Sequence, residues 1–581
     1  MSLSSTIKSI QDIMRKDDGV DGDANRIGQL TWMLFLKIFD QREDEWEDDA
    51  KDRGQPYESV LPSECRWRNW AAYKDGKPQI AGTELVPFVN NVLFPMLRNL
   101  EVGEDLRRKV IRQVFEDSNN YMKSGTLMLG VIEKLDEVIN FNDFTARQNL
   151  GDIYEQILND LRSAGNAGEF YTPRAITHFM VQMVNPRLDK REIVMDPACG
   201  TGGFLTATID HLRGQLGPHS GAEDREMIEH SILGIEKKQL PHLLCITNLL
   251  LHGIDIPSQA DLYNTLGRGW NDWRLDERVE CVITNPPFGG LEEAGVGDDY
   301  PRPLRTRETA DMFLTLIVKK LLKEGGRAAV VLPDGALFGE GVKAKVKELL
   351  MEQCNLHTII RLPNGVFAPY TSIKTNLLFF TKGKPTETIW YYEHPYPEGQ
   401  KSYSKTKPIR LEEFDPEKAW WGQEANDFAE REDGGHAWRF DFKTKKQNAI
   451  GQAKPHWDQA EELNNQASAL ENQARDLRDS IKGIKNALDR KPIEDQIAEL
   501  RANAEQLRRQ ARDAQAEGDR LYWPIYNLDI KNSNTPSEKI DDPDILLEEY
   551  KKLLAMIEET QEQLKSELGI ALAHHFETEA G

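Results

Sequence analysis

Val279-Glu280-Cys281-Val282-Ile283-Thr284-Asn285-Pro286-Pro287-Phe288-Gly289 is the stretch on which the fold turns. A short run rich in Val and Ile, ended by two prolines, predicts a buried strand that stops abruptly at an exposed loop. The prolines stiffen the backbone, and Pro286 forces Asn285 out of the helical region. Asn285 and Pro286 then present an amide oxygen and a carbonyl from a rigid corner flanked by Pro287, with the Phe288 ring beside them. That set suits a planar NH2 group, because two acceptors take its hydrogens while an aromatic face stacks on its ring. Drawing on both hydrogens favours the pyramidal geometry that a delocalised amine needs to attack an electrophilic methyl. The same residues also fit an ordinary proline-stiffened turn.

Outward from this corner, from about Gly151, strands and helices alternate. Candidate strands are Ile193 to Met195, Leu233 to Ile235, Cys281 to Ile283, Ala328 to Leu332, His357 to Leu362 and Asn376 to Thr381. Helical patterns at 228–231, 240–250 and 312–322 fall between them. This alternation predicts an α/β fold, a mainly parallel sheet with helices on both faces and ligands at the carboxyl ends of the strands.

The first strand runs into Asp196-Pro197-Ala198-Cys199-Gly200-Thr201-Gly202-Gly203-Phe204 and then a helix. Its glycines permit a tight turn and close approach to a ligand. GxGxxG would need glycine where Leu205 stands, and no Gly-Lys-Ser/Thr follows, so neither a dinucleotide fingerprint nor a P-loop is present. With no basic residue in the loop, a ligand there would be one without phosphates. The second strand ends at Glu236, where an acid suits the paired hydroxyls of a ribose, although a solvated Glu beside Lys237 and Lys238 reads equally simply. Asn264, after a possible third strand at Asp261-Leu262, is placed to bond an adenine edge. Ahead of them all lies Gly168-Glu169-Phe170-Tyr171-Thr172-Pro173-Arg174, which also reads as a plain helix entry capped by Thr172 with Pro173 in first position.

The 581 residues suffice for two to four domains, and five scattered cysteines without a CxxC pair indicate neither a disulfide framework nor a zinc site. The first 18 residues lack the apolar core of a signal peptide, and the most apolar window, Leu30 to Phe39, is too short to span a bilayer. The expected location is the cytoplasm, without membrane contact. A net charge of −23 is wrong for a chain that grips DNA unaided.

Residues 1–150 read as a helical domain without obvious chemistry, on patterns such as Ile27, Leu30, Leu34 and Ile38. Residues 151–440 hold the α/β domain and an irregular tail, and 441–581 form a helical, coiled-coil region. There, Leu463, Ala467, Leu470, Ala474, Leu477, Ile481, Ile484 and Leu488 alternate steps of four and three, and the pattern resumes at Ile493. Pro492 between the halves predicts the turn of an antiparallel hairpin. A last helical stretch runs from Ile545 to Leu568. The region reads either as self-packed or as a docking arm. Lys343, Lys345 and Lys347 read as a solvated helix face, while Arg302, Arg305 and Arg307 in the loop 289–311 read as either solvated or facing DNA.

In this order the four pieces resemble the S-adenosylmethionine-dependent methyltransferases of adenine N6 in DNA. The likeness extends to Gly326 to Pro333 and Arg361 to Phe367 and, with the helical domain, to the methylation (M) subunits of type I restriction–modification systems. It covers about residues 1–385 and implies a Rossmann-like methyltransferase domain. It further implies that Glu169, Phe170, Tyr171, Thr172, Pro173, Arg174, Ala198, Gly200, Thr201, Gly202, Gly203 and Asn264 surround S-adenosylmethionine. Asp196 would hold its methionine end and Glu236 its ribose. Asn285, Pro286, Pro287 and Phe288 would act on an adenine flipped out of the duplex. The implied partners are DNA, a separate specificity subunit that reads sequence, a restriction (motor) subunit, and a second copy of this chain in the complex. A solitary DNA methyltransferase, a protein glutamine methyltransferase and a non-catalytic cofactor-binding scaffold are the alternatives.

Overall fold

The computed structural model describes residues 3–138, 171–217, 221–254, 257–368, 373–404, 406–484, 486–532 and 550–566, with Thr371, Asn534 and Leu547 as single positions. Glu169 and Phe170 lie outside the described residues. By packing, the chain divides between Lys531 and Asn532.

The first unit is built on one nine-stranded sheet ordered β3-β2-β1-β4-β5-β7-β6-β8-β9. The strands are β1 Val194–Asp196, β2 Ile232–Glu236, β3 Ala260–Leu262, β4 Val279–Thr284, β5 Leu322–Pro333, β6 Cys354–Arg361, β7 Thr375–Lys382, β8 Thr388–Glu393 and β9 Ala437–Asp441. β3, β2, β1, β4 and β5 run parallel, β7 lies antiparallel between β5 and β6, and β8 and β9 extend the far edge. β2 and β3 are laid down to one side of β1 and β4 and β5 to the other, so a crevice opens at the carboxyl ends of β1 and β4.

Successive side chains along the strands enter two cores. Val194, Cys281, Ile283, Ala329 and Val331 meet the helix Arg174–Val184 on one face, with Phe179 stacked on Phe414 at 4.2 Å. Met195, Val282, Ala328 and Val330 meet the helices Thr309–Leu316 and Val342–Gln353 on the other. Burial on both faces explains why β4 and β5 read as continuous apolar runs. The helix Gln239–Leu251 is buried nearly all round. It packs against the sheet on one side and the N-terminal helices on the other, in a core that includes Phe35, Phe39 and Phe115. Arg42 Nη2 donating to the Leu250 carbonyl at 3.3 Å and a Lys109–Asp261 ion pair of 3.1 Å tie the helical domain to this side.

Downstream of β7 the structure departs from the sequence expectations. β9 was not expected, because Ala437–Asp441 becomes a strand only through pairing with β8. The hairpin is present as Phe442–Ser480 and Ala487–Tyr522, but its turn is not at Pro492. The chain reverses at Ile481–Gly483, and Asn486 starts the second helix by accepting the Leu488 N–H at 3.1 Å. Pro492 sits inside that helix, where its missing N–H forfeits one internal bond, and Leu488 is exposed. Ala460, Ala467 and Ala474 are buried at sevenfold spacing, as are Ala504 and Ala511, and a bidentate Arg508–Glu471 pair bridges the helices. The base of the hairpin docks on the α/β domain. Tyr391 donates to the Leu528 carbonyl at 3.0 Å, and Arg361 pairs with Asp529 at 2.6 Å.

Lys347 is also not on a solvated face. It is buried, donating to the Leu337 and Gly339 carbonyls at 2.6 and 3.0 Å, while Lys343 pairs with Asp311 at 3.1 Å. Sequence spacing cannot show that the preceding corner, 337–339, turns its carbonyls toward this helix. In the second unit, residues 550–566 are helical and exposed, with Tyr550, Leu554, Ile557 and Leu564 along one side.

Candidate active site

The crevice holds a cavity of about 240 Å³ lined by Thr172, Asp196, Ala198 to Thr201, Gly203, Phe204, Glu236 to Lys238, Asn285, Pro287, Gly290 to Glu292 and Thr309. The ends of β1, β2 and β4 all contribute to it. The Gly-rich loop is held to both acids by its own backbone. Ala198 N donates to Asp196 Oδ1 at 3.1 Å, and Gly200 N donates to Glu236 Oε2 at 2.9 Å. Lys238 N donates to the other Glu236 oxygen at 2.8 Å. Burial pushes the Asp196 carboxyl up to about 7, with the neighbouring Glu236 charge adding and the Ala198 N–H opposing. Burial likewise raises Glu236, against the N–H groups of Lys238 and Gly200.

Gly202 adopts φ +79°, and a Cβ there would lie 2.8 Å from Cys245 Sγ. Its role is therefore to let the loop turn against the helix Gln239–Leu251; it does not itself line the cavity. Asn248, from that same helix, donates to the Thr201 carbonyl at 3.1 Å, and Thr265 donates to the Pro197 carbonyl at 2.6 Å. Neither residue stands in a motif, so sequence reasoning missed both.

At the end of β4, Asn285 is half-buried and Pro286 is buried. Asn285 Nδ2 donates to Thr172 Oγ1 at 3.0 Å, while its Oδ1 is buried with no hydrogen-bond partner among the described residues. Thr172 is thus not the helix cap. Pro173 occupies that position, and its carbonyl accepts Ile176 N at 2.9 Å, which frees the Thr172 hydroxyl for Asn285. Tyr171 is buried and Arg174 exposed, and neither lines the cavity. Thr309 donates to the Pro287 carbonyl at 2.9 Å, bracing the corner from a helix more than twenty residues on. Phe288 is half-buried with the edge of Phe367 against it, centroids 6.1 Å apart, so one part of the ring stays open. Asn264 is engaged at both ends. Its oxygen caps Leu266 N at 3.1 Å, and its Nδ2 donates to Glu292 at 3.2 Å. It lies behind the cavity wall, and Glu292 stands in the wall instead.

A buried amide oxygen left without a donor costs about 1–3 kcal/mol unless something arrives to satisfy it. Here it points to an incoming N–H, beside two acids and a loop without a basic side chain. Comparison with known proteins gives the family. The N-6 DNA Methylase family model matches residues 145–459, and the HsdM N-terminal domain model matches residues 3–135. The methylase subunit of the type I restriction enzyme EcoEI of Escherichia coli is 57% identical over 441 residues, 76% of this chain and 87% of that protein. The chain belongs to the type I restriction enzyme methylase subunits.

This methylase subunit is also similar to solved structures. A modification subunit of a putative type I restriction enzyme from Vibrio vulnificus has 43% identity and a TM-score of 0.66, over 76% of this chain and 92% of that one. A chain from a study of complex assembly in a type I R-M system has 31% identity and a TM-score of 0.67, over 97% and 98%. The activity of the subunit is adenine-specific methylation of DNA. Among the described residues, no helix is long and apolar enough to cross a membrane.

Proposed function

We propose that the methyl donor is S-adenosylmethionine, held in the cavity by Asp196 at its amino-acid end and Glu236 at its ribose. The chemistry of the donor set supports this, since carboxylates at the ends of β1 and β2 suit an ammonium and a pair of hydroxyls. When bound, the cofactor supplies an electrophilic methyl on a sulfonium. The rest is done by the chain. Phe288 stacks on an adenine extruded from the duplex, with Phe367 fixing its tilt. The unpaired Asn285 oxygen accepts one N6 hydrogen, and the Pro286 carbonyl accepts the other. Thr172 holds the amide by its nitrogen, which fixes which end faces the substrate. Thr309 and the two prolines keep the corner from relaxing, so the acceptors are in place before the amine arrives. No general base is required, because the N6 proton becomes acidic only after transfer and leaves to water.

The chain works in the cytoplasm, within an assembly of two copies, a specificity subunit that reads sequence and a restriction subunit. Its net charge of −23 supports delegated recognition, because a partner then supplies most phosphate neutralisation. The coiled-coil hairpin and the helix at 550–566 serve as docking surfaces, and the exposed Arg302, Arg305 and Arg307 face the DNA backbone.

The unpaired Asn285 oxygen carries this proposal. Asn285→Ala is expected to bind S-adenosylmethionine normally and to lose methyl transfer to adenine-containing duplex, assayed with and without the co-purified specificity partner. Transfer at near wild-type rate by this variant would show that the corner has been misread.

A further inference from the structure

β5 outruns β4 at the active-site edge of the sheet. Thr284, the last residue of β4, pairs with Val330, and β5 continues to Pro333. The turn that follows Pro333 therefore rises beside the catalytic corner, one strand over, at a spacing of about 5 Å. The two turns share a brace. Thr309, which holds the Pro287 carbonyl, opens the helix that also carries Asp311, and Asp311 pairs at 3.1 Å with Lys343 at the start of the helix Val342–Gln353. β7 begins at the same edge, since Thr375 pairs with Pro333 and the Lys374 carbonyl accepts Asp334 N at 3.0 Å.

In the turn Asp334-Gly335-Ala336-Leu337-Phe338-Gly339, Leu337 enters the core and Phe338 is left 50% exposed. Its backbone is not free to turn the ring inward. Lys347 is buried and donates to the carbonyls on either side of Phe338, Leu337 at 2.6 Å and Gly339 at 3.0 Å. Leu528 N also donates to the Leu337 carbonyl, at 2.9 Å. Asn376 Nδ2 donates to the Asp334 carboxylate at 2.7 Å, which fixes the start of the turn. Burial lowers the Lys347 ammonium to about 8, so this clamp is kept against a desolvation cost. Ile373, 54% exposed just ahead of β7, adds a second apolar side chain to the edge, and Lys374 beside it is an exposed cation.

We propose that Phe338 is a wedge that enters the DNA duplex at the base step vacated by the target adenine. The proposal rests on the base-flipping reading given above. An extruded base leaves a gap whose neighbours lose a stacking partner. An apolar ring that fills the gap offsets part of that loss and blocks the return of the base. Such a ring has to be exposed before DNA arrives, held rigidly from below and set close to the residues that receive the adenine. Phe338 meets each condition. Phe288 then stacks on the adenine outside the helix, while Phe338 occupies the space inside it. Ile373 widens the apolar contact, and Lys374 supplies a cation for the flanking phosphates.

The test uses the full-length chain with its specificity partner and a duplex carrying one site that the wild-type complex methylates. Phe338→Ala should lower methylation of this duplex roughly ten- to a hundredfold, with S-adenosylmethionine affinity unchanged. The same duplex with its target adenine mispaired, and so less costly to extrude, should bring the variant within about threefold of wild type. Phe338→Trp should keep most of the activity, and 2-aminopurine at the target position should brighten less with Phe338→Ala than with wild type. Wild-type methylation by Phe338→Ala, or a loss that the mispaired duplex does not recover, overturns the wedge. So does a Phe338→Ala chain that no longer co-purifies with the specificity partner, which would assign the corner to protein docking. A wild-type complex in which the 2-aminopurine fails to brighten overturns base flipping itself, before any variant is compared.

Discussion

Asp196→Asn removes the most strongly perturbed carboxyl in the cavity while keeping its shape, and the consequence can be sized. Asp196 is fully buried and titrates at about 7, against 3.8 for the ordinary residue. Below 3.8 it is protonated whether or not the chain is folded, so it contributes nothing to pH dependence. Above that, the unfolded chain releases the proton first, and stability falls as pH rises until the folded carboxyl also ionises near 7. At about 1.4 kcal/mol per pH unit the full loss is about 4 kcal/mol, of which about 3 kcal/mol falls between pH 5 and pH 8. Urea unfolding of the cofactor-free chain at those two values, wild type beside Asp196→Asn, isolates the contribution. The wild type should lose about 3 kcal/mol more than the variant, leaving the variant relatively more stable at pH 8. Cofactor binding should follow the opposite course, because a cationic ligand favours the ionised carboxyl. Wild-type affinity should strengthen toward pH 7 and level off, while the variant binds weakly and without that rise. Unfolding curves for the two proteins that stay parallel across this range would refute the buried, protonated Asp196.

Gly202→Ala should destabilise the chain by about 2–4 kcal/mol, combining left-handed strain with the clash on Cys245. Adding Cys245→Ala should recover part of that loss. Urea unfolding checks this, and a change below about 0.5 kcal/mol would mean that the loop turns differently. Phe288→Ala should leave cofactor affinity intact and weaken capture of the target base by about 1–3 kcal/mol. Fluorescence of 2-aminopurine at the target position reports this, and an unchanged signal would remove Phe288 from the stacking role.

Much of the site was legible because its parts are local. Asp196 with its glycines, Glu236, and Asn285 to Phe288 each follow a strand directly, and strand ends at a switch point converge whatever the loops do. Asn264 shows the limit of that inference. Its position after β3 is as expected, but its amide is already committed to Leu266 and Glu292, which no spacing reveals. Lys347 shows another limit, since alternating lysines on a helix look solvated until a preceding corner turns its carbonyls toward one of them.

Local pattern by itself determined the central strands and their order of chemistry, because apolar runs, glycine turns and stiff prolines act within a few residues of their own positions. It determined that the C-terminal helices pair, because a repeat of apolar positions every three and four residues is a property of one helix face. Tertiary structure alone decided what reaches across. Thr172 holds Asn285 from 113 residues away, Thr309 braces Pro287, Asn248 supports Thr201, and Lys237 grips Glu292. It also placed the hairpin turn at Ile481–Gly483 instead of Pro492 and made β9 a strand. Each of these depends on a partner distant in the chain, and a hydrogen bond or strand pairing between distant segments has no period or spacing through which a sequence could announce it.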